Sequence, residues 1–306
     1  YAGQSERFSY YQPLHGDVDF GDNDSRLGYL LLVPAVFKNH DKLFRSLAHI
    51  AKPIAVLDIV GGWELPYFLQ KRHVRLFSAA VSPRCGKEAA RYLIQAGHRK
   101  IAYISPFHNS LWSHNRLEGL QEIYKAAGDG HSVYPFTMDY EPKPNMIFRK
   151  EAYEACDYKP LMDAYDTWKT KVPDYFHRPM DDLIQWRFLR DIIPYAELQH
   201  RLEELFLRIL DNNSITAWVC ANDQIATWAL QYLKKETIAV PGRTSLLGFD
   251  DSYDALRDGI TSYSFNLHGA IAAMLNFILR PSSIPLRKRP VEIPGMIMER
   301  GSVRRI

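Results

Sequence analysis

Residues 87–105 read Lys87-Glu88-Ala89-Ala90-Arg91-Tyr92-Leu93-Ile94-Gln95-Ala96-Gly97-His98-Arg99-Lys100-Ile101-Ala102-Tyr103-Ile104-Ser105, and their apolar pattern changes once, from helical spacing to an unbroken run. Ala90, Leu93 and Ile94 stand at the i, i+3, i+4 spacing of an amphipathic helix over Lys87–Ala96. Gly97 stops that helix, because glycine accepts the left-handed turn with which helices commonly end. Ile101–Ser105 then reads as a strand. A second helix follows over Asn115–Ala127, with Leu117, Leu120 and Tyr124 on one face and Gly128 at its end. Helix, turn, strand, turn, helix is the rhythm of a parallel sheet covered by helices.

The rhythm extends in both directions. Upstream, Tyr29–Val33 is an apolar run ending at Pro34, Pro53–Ile59 is a second closed by Gly61 and Gly62, and Val74–Val81 makes a third. Short continuous runs of this kind suit strands buried on both faces. Asp41–Ile50 sets Leu43, Leu47 and Ile50 on one helical face. Residues 1–27 are weakly patterned, with one strand at Arg7–Leu14 and a turn-rich acidic stretch at Gly16–Arg26. Downstream, residues 131–213 break the alternation with aromatics, charge and prolines, until a helix near Tyr195–Leu210 carries Leu198, Leu202, Leu205, Phe206 and Ile209 on one face. A strand at Ile215–Cys220, a helix at Gln224–Lys234, a turn or short strand at Thr237–Val240, a strand at Ser245–Phe249 and a helix at Leu267–Leu279 restore it. Pro281–Pro290 is linker-like, and Val291–Met298 reads as a final strand.

With 306 residues, 46% hydrophobic and 24% charged, the chain is long enough for two lobes that each bury a core. Lys and Arg number 38 against 35 Asp and Glu, a net charge of +3, which is less than a broad nucleic-acid-binding face usually carries. Cys85, Cys156 and Cys220 are odd in number and far apart, which fits a reducing cytoplasm and offers no zinc spacing. No apolar run approaches the ~18 residues of a membrane span, and residues 1–26 hold no secretory leader. A cytoplasmic location is expected.

Open parallel sheets bind ligands outside the carboxyl ends of their strands, so polar residues just past apolar runs are the candidates. Asp58 sits at the end of Pro53–Leu57, Arg116 lies at the turn and helix start after Ile101–Ser105, Asn222 and Asp223 follow Trp218–Cys220, and Asp250 and Asp251 follow Leu246–Phe249. A carboxylate accepts two hydroxyl hydrogen bonds, arginine donates in a fork and an amide does both, a mixture suited to a polyhydroxylated ligand. Each residue also has a plainer reading. Asn222 or Asp223 caps the next helix, Arg116 pairs with Glu118 or Glu122, Asp58 ends a strand, and Asp250-Asp251 forms a solvated turn. His108 and His114 flank Trp112 on a loop at no metal-ligand spacing and read as solvated.

Taken together, the stretches resemble a family. Residues 89–104, Arg116-Leu117-Glu118-Gly119-Leu120, Ala221-Asn222-Asp223-Gln224-Ile225-Ala226, Val240-Pro241, Ser245-Leu246-Leu247-Gly248-Phe249-Asp250-Asp251, Thr261-Ser262, Ile293-Pro294-Gly295 and Arg300-Gly301-Ser302-Val303 resemble, in order, the motifs of the LacI/GalR transcription regulators. The resemblance covers about residues 28–130 and 214–306. It implies an α/β fold of two Rossmann-like lobes with parallel sheets, of the periplasmic-binding-protein type I kind, with a ligand held between the lobes. The lobes implied are 1–84 with 264–290 and 85–263 with 291–306, the latter enlarged by 131–213. By the same resemblance Arg116, Asn222 and Asp250 contact the effector and Asp58 contributes from the other lobe; Trp112, four residues before Arg116, reads either as stacking on a sugar ring or as part of the lobe core. The implied partners are a carbohydrate-like effector, a second copy of the chain, and operator DNA through a headpiece; no cofactor, metal or membrane is implied.

The pattern also departs from the family. Nothing in residues 1–27 forms a helix-turn-helix. Gly28–Val33 resembles the third strand of the amino-terminal sheet, so that lobe reads as short of its first strand and helix. Residues 131–213 do not align, which leaves Trp168, Tyr175 and Trp186 as unassigned aromatic candidates. Phe265 stands where relatives often carry a polar contact, pointing to a different or smaller effector. An enzyme is disfavoured, since no G-x-S-x-G, P-loop, G-x-G-x-x-G or H-E-x-x-H occurs. The rival is a transport-type sugar-binding protein, with an interaction module that has lost its ligand as the third reading.

Overall fold

The computed structural model describes residues 27–33, 44–45, 47–58, 64–70, 73–78, 82–140, 198–283 and 290–306. The expectations for Arg7–Leu14, Gly16–Arg26, Cys156, Trp168, Tyr175 and Trp186 fall outside them. The chain divides into two compact units, Tyr1–Val81 with Asn266–Pro294 and Ser82–Phe265 with Gly295–Ile306.

In the larger unit, Lys100–Ser105 (β4), Ser132–Thr137 (β5), Ala217–Cys220 (β6), Ser245–Phe249 (β7), Thr261–Ser264 (β8) and Met296–Met298 (β10) form a sheet ordered β10-β8-β7-β6-β4-β5. All pairs are parallel except β10 with β8. Strand alternation sends its residues to two cores. Ile101, Tyr103, Ala217, Val219, Leu247 and Phe249 pack against helices Arg84–Gln95 (α1) and Leu111–Ala126 (α2). Ala102, Ile104, Trp218, Cys220 and Leu246 pack against the helix at 198–210 (α3) and Asp223–Lys235 (α4), and the short helix Tyr253–Arg257 (α5) adds Ala255 to the same core. Trp218, 1% exposed, stacks on Phe206 of α3 at 5.5 Å between ring centres. Full burial of side chains this large contributes roughly 1.5–3 kcal/mol each.

The helix stop read at Gly97 also seals the chain end. Gly97 has φ +95°, and a Cβ there would lie 2.2 Å from the Ile306 carbonyl oxygen. His98 beside it is fully buried; its Nε2 donates to the Arg304 carbonyl (3.1 Å), so its Nδ1 accepts from Thr216 Oγ1 (2.8 Å). A neutral ring satisfies both bonds, and burial lowers its pKa.

In the smaller unit, Tyr29–Val33 (β1), Ile54–Asp58 (β2), Val74–Ser78 (β3) and Val291–Glu292 (β9) form an all-parallel sheet in that order. Ile54, Val56, Val74 and Leu76 face Phe44, Leu47, Leu65 and Leu69. Ala55, Leu57 and Phe77 face Ala270, Met274 and Phe277 of the helix Leu267–Leu279 (α6).

Three expectations are corrected. Val291–Met298 is not one strand: β9 joins the smaller sheet and β10 the larger, and Pro294-Gly295 separates them. Within 131–213 the alternation continues for one more strand, β5, masked in the sequence by Pro135. That proline is accommodated because β5 is the outermost strand, with β4 as its one sheet partner among the described residues. The second helix begins at Leu111 rather than Asn115, which places Trp112 and His114 within α2 instead of on a loop and sets Arg116 beyond its first turn.

Candidate functional site

Arg116 is the pivot of the larger unit's polar edge. It is 4% exposed, held on α2 where α1 and α2 meet through Gly86 and Gly119. Its Nη1 donates to the Ala221 carbonyl at the end of β6, and its Nη2 lies 3.4 Å from Asp250 Oδ1 beyond β7. The guanidinium carbon sits 4.6 Å from the Trp112 ring centre, 4.8 Å from Phe249 and 4.9 Å from Phe265. Aromatic faces attract a desolvated cation by up to about 2 kcal/mol each, which offsets the cost of burying this one. Nε is buried with no hydrogen-bond partner. Arg116 therefore does not pair with Glu118 or Glu122; its charge is spent on the edge of the sheet.

Asp250 occupies a backbone conformation that an L-residue rarely takes. Its φ is +108°, and Asp251 follows at +55°. Strain of this kind costs of order 1–3 kcal/mol and persists where the surroundings over-determine it. The surroundings are visible here. Asp250 N–H donates to the Tyr263 carbonyl (3.0 Å), Asp251 N–H to Ser262 Oγ (3.0 Å), and Arg300 pairs with the Asp251 carboxylate. Desolvation pushes the Asp250 carboxyl above its ordinary range, and Arg116 acts against it. The side chain keeps 47% of its surface open.

Asn222 does cap α4: its Oδ1 accepts the Ile225 N–H at 3.0 Å. The cap leaves its amide nitrogen without a hydrogen bond among the described residues, so capping and ligand contact use different atoms. Asp223 is a brace. It is 1% exposed and accepts the Ser252 N–H (2.7 Å) and the Ser262 hydroxyl (2.6 Å). A Cβ on Gly248 would lie 2.2 Å from its Oδ1, which explains the glycine in β7.

Asp223→Ala should lower stability by about 3 kcal/mol, since the buried Ser262 hydroxyl and the part-buried Ser252 N–H lose their acceptor. Burial raises this carboxyl from 3.8 to about 6, with Asp250 adding to the rise and Ser252 and Ser262 opposing it. The stability linked to this raised pKa is present below 3.8 and is lost as pH climbs through about 6, while the two accepted hydrogen bonds persist in the ionised form. Melts of wild type and variant across that window should differ in slope, and parallel curves would refute the assignment.

Asp58 belongs to the smaller unit. It is the last residue of β2, 1% exposed, and in register with Val33 and Ser78. Ser78, which the sequence did not single out, is 1% exposed and its hydroxyl has no hydrogen-bond partner. Trp112, Arg116 and Asp250 are thus brought together, Asn222 adjoins them through Ala221, and Asp58 stands with Ser78 at the carboxyl edge of the other sheet. Among the described residues, no group of three or more His, Cys, Asp or Glu side chains is placed to hold a metal ion. No helix among them is long and apolar enough to cross a membrane.

Residues 188–303 match the periplasmic binding protein-like domain family. A LacI transcriptional regulator from a Rhodococcus species superposes with a TM-score of 0.56 at 16% identity, covering 92% of this chain and 80% of that one. A transcription regulator from Lactobacillus plantarum does so at 0.54 and 17% identity, covering 92% and 82%. The chain has the LacI-regulator fold. The LacI-family regulator of Enterococcus faecium, solved with bound ribose, gives 0.50 and 17% identity over 91% of this chain and 80% of that chain. In sequence, an HTH-type transcriptional regulator of Mycolicibacterium smegmatis is 43% identical over 51 residues, a stretch spanning 17% of this chain and 14% of that protein. In this LacI-type fold the parallel sheets end in the polar edges just described, which is where such sheets take ligands.

Proposed function

We propose that this chain is the effector-sensing part of a bacterial transcription regulator, which binds a sugar-like molecule, alters DNA affinity and catalyses no reaction. The observation that carries the reading is Asp250: a strained, half-open carboxylate held by Arg116 at the end of β7, the sheet neighbour of β6, past which Asn222 keeps an amide nitrogen that its cap does not use. An acceptor and a donor at the ends of neighbouring strands complement the hydroxyl groups of a sugar. The ribose bound to the Enterococcus faecium relative supports the same ligand class. Asp58 enters the proposal as a further contact and Trp112 as the support of Arg116. Effector binding selects one state of the protein by differential affinity, and that selection changes the hold on operator DNA through a DNA-binding headpiece. The protein acts in the cytoplasm as a homodimer.

A thermal-shift screen against pentoses, hexoses, their phosphates and purines tests the reading. A ligand present at about 100 times its Kd adds ~2.7 kcal/mol, which should raise the melting temperature by several degrees. A flat response to every sugar would remove the sugar reading.

A further inference from the structure

His108 and His114, six positions apart, converge in the fold. Their ring centres lie 4.0 Å apart at 42°, His108 from the loop after β4 and His114 from the first turn of α2. His108 Nδ1 lies 3.1 Å from Ser113 Oγ, and Ser113, fully buried, also meets Ser105 Oγ (2.7 Å) and Tyr103 OH (3.0 Å). Tyr103 OH donates to the Ser113 carbonyl at 3.0 Å. With Ser105 donating to Ser113, the Ser113 hydroxyl donates to an unprotonated His108 Nδ1. The same turn of α2 carries Trp112, whose ring lies over Arg116. The first turn of the helix is thus pinned on one side by this network and on the other by the candidate site.

We propose that the His108–His114 pair is a proton-operated latch on the first turn of α2. While the pair holds at most one proton, the turn keeps Trp112 and Arg116 in place. A second proton sets two cations 4.0 Å apart at the positive end of a helix, parts the rings and frees the turn. Burial first, and then His114, push His108 below its ordinary 6.5, while Asp139, from the segment after β5, opposes them. The sign follows. A histidine with a lowered folded-state pKa stabilises above 6.5, and that stability is lost as pH falls below it. The consequence for effector binding rests on the proposed function; the latch itself does not.

Imidazole and indole signals of the intact chain, followed by NMR between about pH 5 and 8, provide the test. In wild type, His108 should titrate below 6.5 and the Trp112 indole N–H, assigned by its loss in Trp112→Phe, should move with the same midpoint. His114→Gln should raise the His108 midpoint and flatten the Trp112 response, and His108→Gln should flatten it too. A Trp112 signal that ignores pH, or that moves alike in wild type and both variants, overturns the latch. If a sugar from the screen binds, its affinity should fall on acidification by roughly tenfold in wild type and by less in His114→Gln, one pKa unit of coupling being a factor of ten; equal falls in the two proteins would also overturn it. Should no sugar bind while the Trp112 titration follows the pair, the latch stands and the sugar reading fails.

Discussion

Asp250→Gly should bind effector at least ~30-fold more weakly than wild type yet melt several degrees above Asp250→Ala. Both variants remove the open carboxylate, and truncating one partner of a hydrogen-bonded charged contact costs about 2–5 kcal/mol, at least ~30-fold in affinity. They differ in backbone. At φ +108° alanine keeps the strain, whereas glycine takes that conformation freely. Relief of about 1–3 kcal/mol, less the 0.5–1 kcal/mol that glycine loses on ordering, leaves glycine ahead by roughly 0–2.5 kcal/mol, with a mid-range near 1 kcal/mol. Both lose the Arg116 contact, which at 3.4 Å is long and half open on the Asp250 side, so that term cancels in the comparison. Calorimetric titration with a sugar that binds wild type, together with melts of both variants, reads the two effects separately. Unchanged affinity in either variant would remove Asp250 from the site; equal melting temperatures would show that its backbone stores no strain.

How much of this was legible in the sequence depends on how local the cause is. β1, β7 and α6 run over the residues read from apolar pattern alone, because each is an apolar segment closed by a residue that stops it. β8 was missed: Thr261-Ser262-Tyr263-Ser264 has no apolar run, and its first three residues are buried because β7 and β10 flank them. α2 was started late because Ser110, at the N-cap position, makes no side-chain cap bond, and Trp112, Ser113 and His114 do not follow the apolar period of the turns beyond. That displacement hid the histidine pair, since two residues on a loop have no reason to meet while a helix turn fixes where one of them lies.

The candidate site shows the same division. Arg116, Asn222 and Asp250 were singled out as candidates because strand ends are where such sheets hold ligands, a rule that needs only the strands. The aromatic surroundings of Arg116 come from α2, β7 and the residue after β8, and no local pattern joins Trp112, Phe249 and Phe265. Ser78 was invisible for a different reason. A serine after four strand residues is ordinary, and only the structure shows a buried hydroxyl with no partner beside Asp58. Asn222 was read as either cap or contact, and its two side-chain atoms make those alternatives compatible.

Gly119→Ala should unfold the larger unit's site without touching a single candidate residue. α1 and α2 approach so closely that a Cβ on Gly119 would lie 2.0 Å from the Pro83 carbonyl oxygen, 2.8 Å from the Lys87 nitrogen and 3.0 Å from the Gly86 Cα. On the facing helix, a Cβ on Gly86 would lie 2.1 Å from the carbonyl oxygen of Arg116 itself. These neighbours are backbone, so no side chain can swing aside, and the helices must separate. Overpacking of this kind costs about 1–3 kcal/mol, and backbone on backbone belongs at the upper end. At roughly 2–4 °C per kcal/mol for a unit of this size, the melting temperature should fall by roughly 6–12 °C. Arg116, one turn earlier on α2, moves with the helix, and its bonds to Ala221 and Asp250 do not survive a shift of much more than about 0.5 Å. Effector affinity should therefore fall with stability. Gly128→Ala separates this from a general intolerance of alanine: that position has open space around it at φ +86° and should lose only the ~1–2 kcal/mol of a left-handed residue, with affinity intact. If Gly119→Ala melts like wild type, the two helices are not in the contact on which the placement of Arg116 depends.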